Sequence, residues 1–126
     1  MKTILVDARN TFVTEKWINK KIQNFLDTFP NKKIIVTNAN DEQLITFGIV
    51  DMPYEVFTLK HNPDKTDPKY FKILLDHFEL DPENVMYFEH NNDAVKSATS
   101  VGITTYFYDK DERDMVKLER FINNNI

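Results

Sequence analysis

The stretch Thr3-Ile4-Leu5-Val6-Asp7-Ala8-Arg9-Asn10-Thr11 decides how the rest of the chain reads. Its apolar and β-branched run suits a strand buried on both faces, and the run ends on an acid. Lys33-Ile34-Ile35-Val36 repeats the pattern and ends in Thr37-Asn38. Val85-Met86-Tyr87-Phe88 does so again and ends in Glu89-His90. A parallel sheet gathers such strand ends at one edge, and open α/β proteins bind and transform ligands there.

Between these runs the apolar period changes to that of a helix. Ile18, Ile22, Phe25, Leu26 and Phe29 share one face, which predicts a helix capped by Thr14 with Glu15 in its first turn. Asn40 or Asp41 caps a short helix carrying Leu44, Ile45 and Phe47, and Gly48 stops it. Tyr54 to Phe57 reads as a short strand. Asp67-Pro68 pairs a cap with a first-turn proline ahead of the stripe Phe71, Leu74, Leu75 and Phe78. Val95, Ala98 and Val101 suit a helix ended by Gly102, Ile103 to Tyr108 a fifth strand, and Met115, Leu118 and Phe121 a last helix. Asn123 to Asn125 reads as a frayed tail. The regular alternation predicts a three-layer Rossmann-like α/β sandwich, with a mostly parallel five-stranded sheet and helices on both faces.

Composition sets bounds on function. At 126 residues with no linker or repeat, residues 1–126 are expected to form a single domain large enough to bury its own core. A net charge of -4 gives no general nucleic-acid or membrane surface. The absence of cysteine excludes disulfides, thiolate metal sites and cysteine nucleophiles. No stretch approaches the roughly 18 apolar residues of a membrane span, and Met1-Lys2 runs straight into a strand with no signal-peptide pattern. The expectation is a cytoplasmic protein. Phe25, Phe29, Phe71 and Phe78 fall at helical core spacing, so burial accounts for them better than RNA stacking.

The residues at the strand ends suit one chemistry. Phosphoryl transfer through an aspartyl phosphate needs a carboxylate nucleophile, a hydroxyl or amide on the phosphate oxygens and a lysine against the growing charge. It also needs acidic ligands for magnesium. Asp7, Thr37-Asn38, Lys65 and Glu89 supply one of each. Lys60 competes with Lys65, but Asp67-Pro68 places Lys65 at a helix entrance.

In these segments the chain resembles the haloacid dehalogenase-like (HAD) superfamily, mostly magnesium-dependent phosphatases. The resemblance spans nearly the whole chain: the strand to Asp7 with Thr11, the strand to Thr37, Lys65-Thr66-Asp67-Pro68 before a helix, and Glu89-His90 followed by a helix and Gly102. It implies that Asp7 is the nucleophile and a magnesium ligand. Thr37, with Asn38, would hold the phosphoryl group, and Lys65 would tie Asp7 to the phosphate charge. It also implies metal ligands at Glu89 and His90, or at Glu89 and Asp93 in a second register. Segments 11–14 and 38–65 are too short for the inserted cap domain of that superfamily. An open site of this kind would admit a phosphorylated small molecule or macromolecule, or be closed by a second copy of the chain.

Two positions depart from the pattern. The superfamily's general acid is an aspartate where this chain has Arg9. A guanidinium stays charged near neutral pH and cannot cycle a proton. It can clamp a phosphate through paired donors or neutralise Asp7 or Glu89. His90 stands where a second carboxylate is usual, and magnesium prefers oxygen donors to imidazole. Two functions follow: a metal-dependent phosphohydrolase with an atypical acid position, or an impaired domain that binds a phosphorylated ligand or a protein partner. A phosphoreceiver domain fits less well, because the third strand has no acceptor aspartate after it.

Overall fold

The computed structural model describes all 126 residues, Met1 to Ile126. Five strands form the central sheet: β1 (Thr3–Asp7), β4 (Lys33–Thr37), β5 (Glu55–Thr58), β6 (Val85–Glu89) and β7 (Thr104–Phe107). Their spatial order is β5-β4-β1-β6-β7, and every neighbouring pair is parallel. The chain lays strands to one side of β1 and then to the other. The carboxyl end of β1 is therefore the switch point of the sheet, where the crossover connections diverge and leave a crevice.

Side chains alternate along each strand, and the two faces bury different helices. Ile4, Val6, Ile35, Met86 and Phe88 pack with Ile22 and Leu26 of α1 (Lys20–Leu26) and with Leu118 and Ile122 of α5 (Met115–Asn125). Leu5, Ile34, Val36, Val85 and Tyr87 pack with Tyr70, Phe71 and Leu74 of α3 (Pro68–His77) and with Ala98 of α4 (Asn92–Ser100). The result is the three-layer α/β sandwich that the alternation of strands and helices predicts. Asp7 and Glu89 continue the rows of Leu5 and Tyr87, so both carboxyl groups belong to the α3/α4 side.

The structure corrects two local expectations. Thr14 does not cap a helix: Val13–Thr14 (β2) and Trp17–Ile18 (β3) pair as an antiparallel hairpin. Glu15 and Lys16 form its turn at φ 50° and 72°, the left-handed pair that a tight hairpin demands. The helix starts at Lys20, where the Asn19 side chain accepts from the Ile22 N–H. At the far end, Asn123 to Asn125 form the last turn of α5 rather than a frayed tail.

Gly48 ends the segment after α2 (Asp41–Thr46) at φ +76°, and a Cβ there would sit 2.5 Å from the Lys16 carbonyl oxygen. The hairpin turn thus rests directly on glycine backbone. Gly48→Ala is expected to lower stability by at least about 1 kcal/mol, from the left-handed conformation alone. A urea midpoint measured on the variant checks this. An unchanged midpoint would mean that the hairpin does not pack there.

Candidate active site

Asp7 ends β1 and is 1% exposed. The loop after it turns back at once: the Phe12 N–H donates to the Asp7 carbonyl and the Val13 N–H to that of Ala8. That turn brings the Thr11 hydroxyl to Asp7 Oδ2 at 2.7 Å. Lys65 reaches the other oxygen. Its backbone N–H is fixed by Asn38 Oδ1 at 2.7 Å, and Asp67 caps α3 two residues later through the Lys69 N–H. Lys65 Nζ, 6% exposed as a residue, lies 2.6 Å from Asp7 Oδ1 and 2.7 Å from Glu89 Oε1.

Glu89 is wholly buried. Its Oε1 also accepts from the Tyr87 hydroxyl, and its Oε2 from the Asn91 N–H at 3.0 Å. His90 Nδ1 meets Asp7 Oδ2 and lies 3.4 Å from Glu89 Oε2. Two carboxyl groups therefore face two basic side chains, and no buried polar side-chain atom lacks a partner.

Burial raises the Asp7 carboxyl, but the Lys65 ammonium and the His90 ring outweigh it and hold Asp7 well below the usual carboxylate range. Burial, then the Asp7 charge, push Glu89 up to about 7 against the pull of Lys65. Burial opposes the charge on Lys65, yet the two carboxyl groups more than reverse this and keep it an ammonium. His90 is raised as well: its hydrogen bond to Asp7 overcomes its partial burial. Burial and the nearby Glu89 charge drive the Tyr87 phenol upward, so it remains a donor.

These groups open into a cleft of about 240 Å³, lined by Asp7, Thr37, Asn38, Lys65, Glu89 and His90 together with Arg9, Gln43, Phe47 and His61. Thr37 stands at the end of β4, its hydroxyl accepting from the Ala39 N–H at 3.2 Å. Tyr70 from α3 donates to the Thr37 carbonyl at 2.9 Å and pins that strand end. The sheet edge thus brings together Asp7, Thr37, Asn38, Lys65, Glu89 and His90. Arg9 lines the same cleft, but its guanidinium lies 4.0 Å over the Phe47 ring. Lys65 and His90, not Arg9, neutralise the carboxyl groups.

Lys60 pairs with Asp41 on the surface at 3.2 Å. Asp93 is exposed in the first turn of α4, outside the cleft. His61 and Gln43 in the cleft, and the Tyr87 hydroxyl on Glu89, carry no signal in the motifs. The one hint for His61 is its place four residues before Lys65.

Asp7, Glu89 and His90 place one ligand atom each within 4.8 Å of one another, the group best able to hold a metal ion. The donor set suits magnesium only in part: Asp7 and Glu89 offer oxygen. Every carboxyl oxygen already accepts from a side chain or backbone N–H, and the third donor is a ring nitrogen where magnesium takes oxygen.

No protein-family model and no curated protein matches the sequence. Solved structures do match. An uncharacterised protein from Corynebacterium glutamicum superposes with a TM-score of 0.65 at 16% identity, over 98% of this chain and 96% of that one. The core domain of a Streptococcus pneumoniae protein, assigned as a phosphoglycolate phosphatase, gives 0.64 at 17% identity over 97% and 95%. A HAD family enzyme from Bacteroides thetaiotaomicron, in an aspartate-to-alanine variant complexed with magnesium and inorganic phosphate, gives 0.59 at 15% over 85% and 93%. The order of strands about β1, the buried acid at its end and these superpositions agree: the chain has the fold of the HAD-like superfamily.

Proposed function

We propose that this protein is a phosphohydrolase that takes the phosphoryl group of a phosphate monoester onto Asp7 and releases it to water. The observation that carries the reading is the buried Asp7–Lys65 pair, 2.6 Å apart, at the switch point of the sheet and open to a cleft. Asp7 is held ionised, as a nucleophile must be. Lys65 is held through its backbone N–H by Asn38 and would face the charge that grows on the phosphoryl oxygens, where such preorganised donors act most strongly. Thr37 and Asn38 stand on the β4 side of the same cleft to orient those oxygens. Magnesium, which the similar Bacteroides enzyme holds with phosphate, meets two oxygen ligands here, Asp7 and Glu89, and the His90 ring in place of a third.

A second reading is favoured by one observation. Arg9 stacks on Phe47 where the superfamily has its acid, which suits a domain that binds a phosphorylated ligand without turning it over. One experiment separates the two. Release of inorganic phosphate from p-nitrophenyl phosphate is expected for the native chain and is expected to vanish in Asp7→Asn. If the native chain binds inorganic phosphate in calorimetry but releases none from the ester, the binding reading stands and the phosphohydrolase reading falls.

A further inference from the structure

Phosphoryl transfer to Asp7 leaves a proton to be supplied to the departing oxygen, and Arg9 cannot supply it. The chain has three histidines. His90 is bound to the nucleophile itself, so it stands on the wrong side of an in-line displacement, where nucleophile and leaving group oppose each other across phosphorus. His77 packs against Phe57 and Phe78 on α3. His61 alone lines the cleft without touching Asp7.

The setting of His61 is built. Its Nδ1 lies 2.7 Å from Asp64 Oδ1 and its Nε2 lies 2.6 Å from Gln43 Oε1. The Gln43 oxygen is not interchangeable with its nitrogen. It also accepts from the Asn40 N–H at 3.0 Å, as half of the capping box that starts α2. Each ring nitrogen therefore has a side-chain oxygen in reach to accept its proton. The loop is pinned further by Lys60 on Asp41 and by Lys65 on Asn38, so His61 and Lys65 are presented by one fixed segment.

We propose that His61 is the general acid and base of this site, with Asp64 and Gln43 as its positioning residues. This rests on Asp7 being the phosphoryl acceptor. In the first half, an Asp7 carboxylate oxygen attacks phosphorus and the bond from phosphorus to the leaving oxygen breaks. That oxygen keeps the electron pair and takes the Nε2 proton of His61, whose hydrogen bond to Gln43 Oε1 breaks as it does so. In the second half, water attacks the phosphorus of the aspartyl phosphate and passes a proton to Nε2. The bond from phosphorus to Asp7 breaks, inorganic phosphate leaves, and the carboxylate and the charged ring are restored. Asp64 steadies the ring through both halves, as a carboxylate does for a histidine base.

The test compares two esters on the native chain, His61→Gln and Asp64→Asn. Dinitrophenyl phosphate releases a phenolate that needs no proton; phenyl phosphate releases one that does. His61→Gln is expected to shift the ratio of kcat/KM on the two esters, which reads the first half alone, by about 100-fold against phenyl phosphate, the usual worth of a positioned acid. Asp64→Asn, which keeps the ring, is expected to shift it the same way by less. Equal losses on both esters, or no loss on phenyl phosphate, would overturn the role of His61. If the native chain fails to turn over dinitrophenyl phosphate in an Asp7-dependent way, the parent reading itself has failed and the acid falls with it.

Discussion

Lys65→Met is expected to remove about 3–5 kcal/mol of folding stability, the usual cost of stripping one partner from a buried ion pair. The ammonium serves two carboxyl groups at once, at 2.6 and 2.7 Å, and both are at most 1% exposed. Methionine fills the space of the lysine stem but offers no donor. Asp7 would keep Thr11 and His90, and Glu89 would keep Tyr87 and the Asn91 N–H. Two like charges would nonetheless face each other with one cation fewer. Glu89 is the group that yields. Burial and Asp7 already push it to about 7, above the 4.5 of a free glutamic acid, so the folded state holds a proton that the unfolded chain releases. A raised acid contributes stability that is lost as pH climbs from that free value through about 7. The variant should therefore suffer less at pH 5 than at pH 8. Adding Glu89→Gln should recover part of the loss, since only one buried carboxylate is then left short. Urea midpoints of the three proteins at both pH values measure this. A Lys65→Met loss no larger than the roughly 1 kcal/mol of an exposed pair would show that the triad is not buried as drawn.

The same triad shows how much of the site could be read from residues in order. β1, β4 and β6 announce themselves because apolar runs of that length are buried on both faces, and a polar residue just past them has only the sheet edge to occupy. Lys65 is legible through Asp67-Pro68, a cap and a first-turn proline that place the lysine where a helix meets that edge. The hairpin at Val13 to Ile18 is not legible. Its turn uses Glu15 and Lys16 in left-handed backbone without a glycine or asparagine to mark it, and Ile18 happens to fall in step with the helix that begins at Lys20. Tyr87 reads as one more apolar strand residue, since nothing local says that its hydroxyl ends on Glu89. Arg9 on Phe47 and His61 on Gln43 join segments about 20 to 40 residues apart in sequence, through loops whose path no periodicity records. Strand ends are fixed by patterns of two and loop contacts by tertiary packing, which is why the first were expected and the second were found.

The double variant Arg9→Asp/His90→Asp is expected to become magnesium-dependent, with turnover that falls about 100-fold or more in EDTA, while the native chain keeps its rate in EDTA. Two physical changes act together. An aspartate in place of His90 removes the ring that occupies Asp7 Oδ2 and supplies an oxygen donor beside Asp7 and Glu89. The cluster then becomes three carboxyl groups, a set that magnesium accepts. The charge balance changes with it. The native cluster sets Lys65 and His90 against two acids; the variant cluster sets Lys65 against three, with a fourth acid on the rim at position 9, and a divalent ion offsets the excess. At position 9 the substitution gives up the guanidinium stacked on Phe47 and places a carboxyl group two residues past Asp7, on the rim of the same cleft. A carboxylic acid there can hand a proton to the leaving oxygen and take one from water, so His61→Gln added to this background should shift the ratio between phenyl and dinitrophenyl esters far less than it does in the native chain. Calorimetric titration with magnesium gives the readout that does not depend on turnover: heat of binding in the double variant, none in the native chain. Magnesium binding by the native chain, or loss of its activity in EDTA, would show that His90 turns aside for the ion and that the cationic side chains do not replace it.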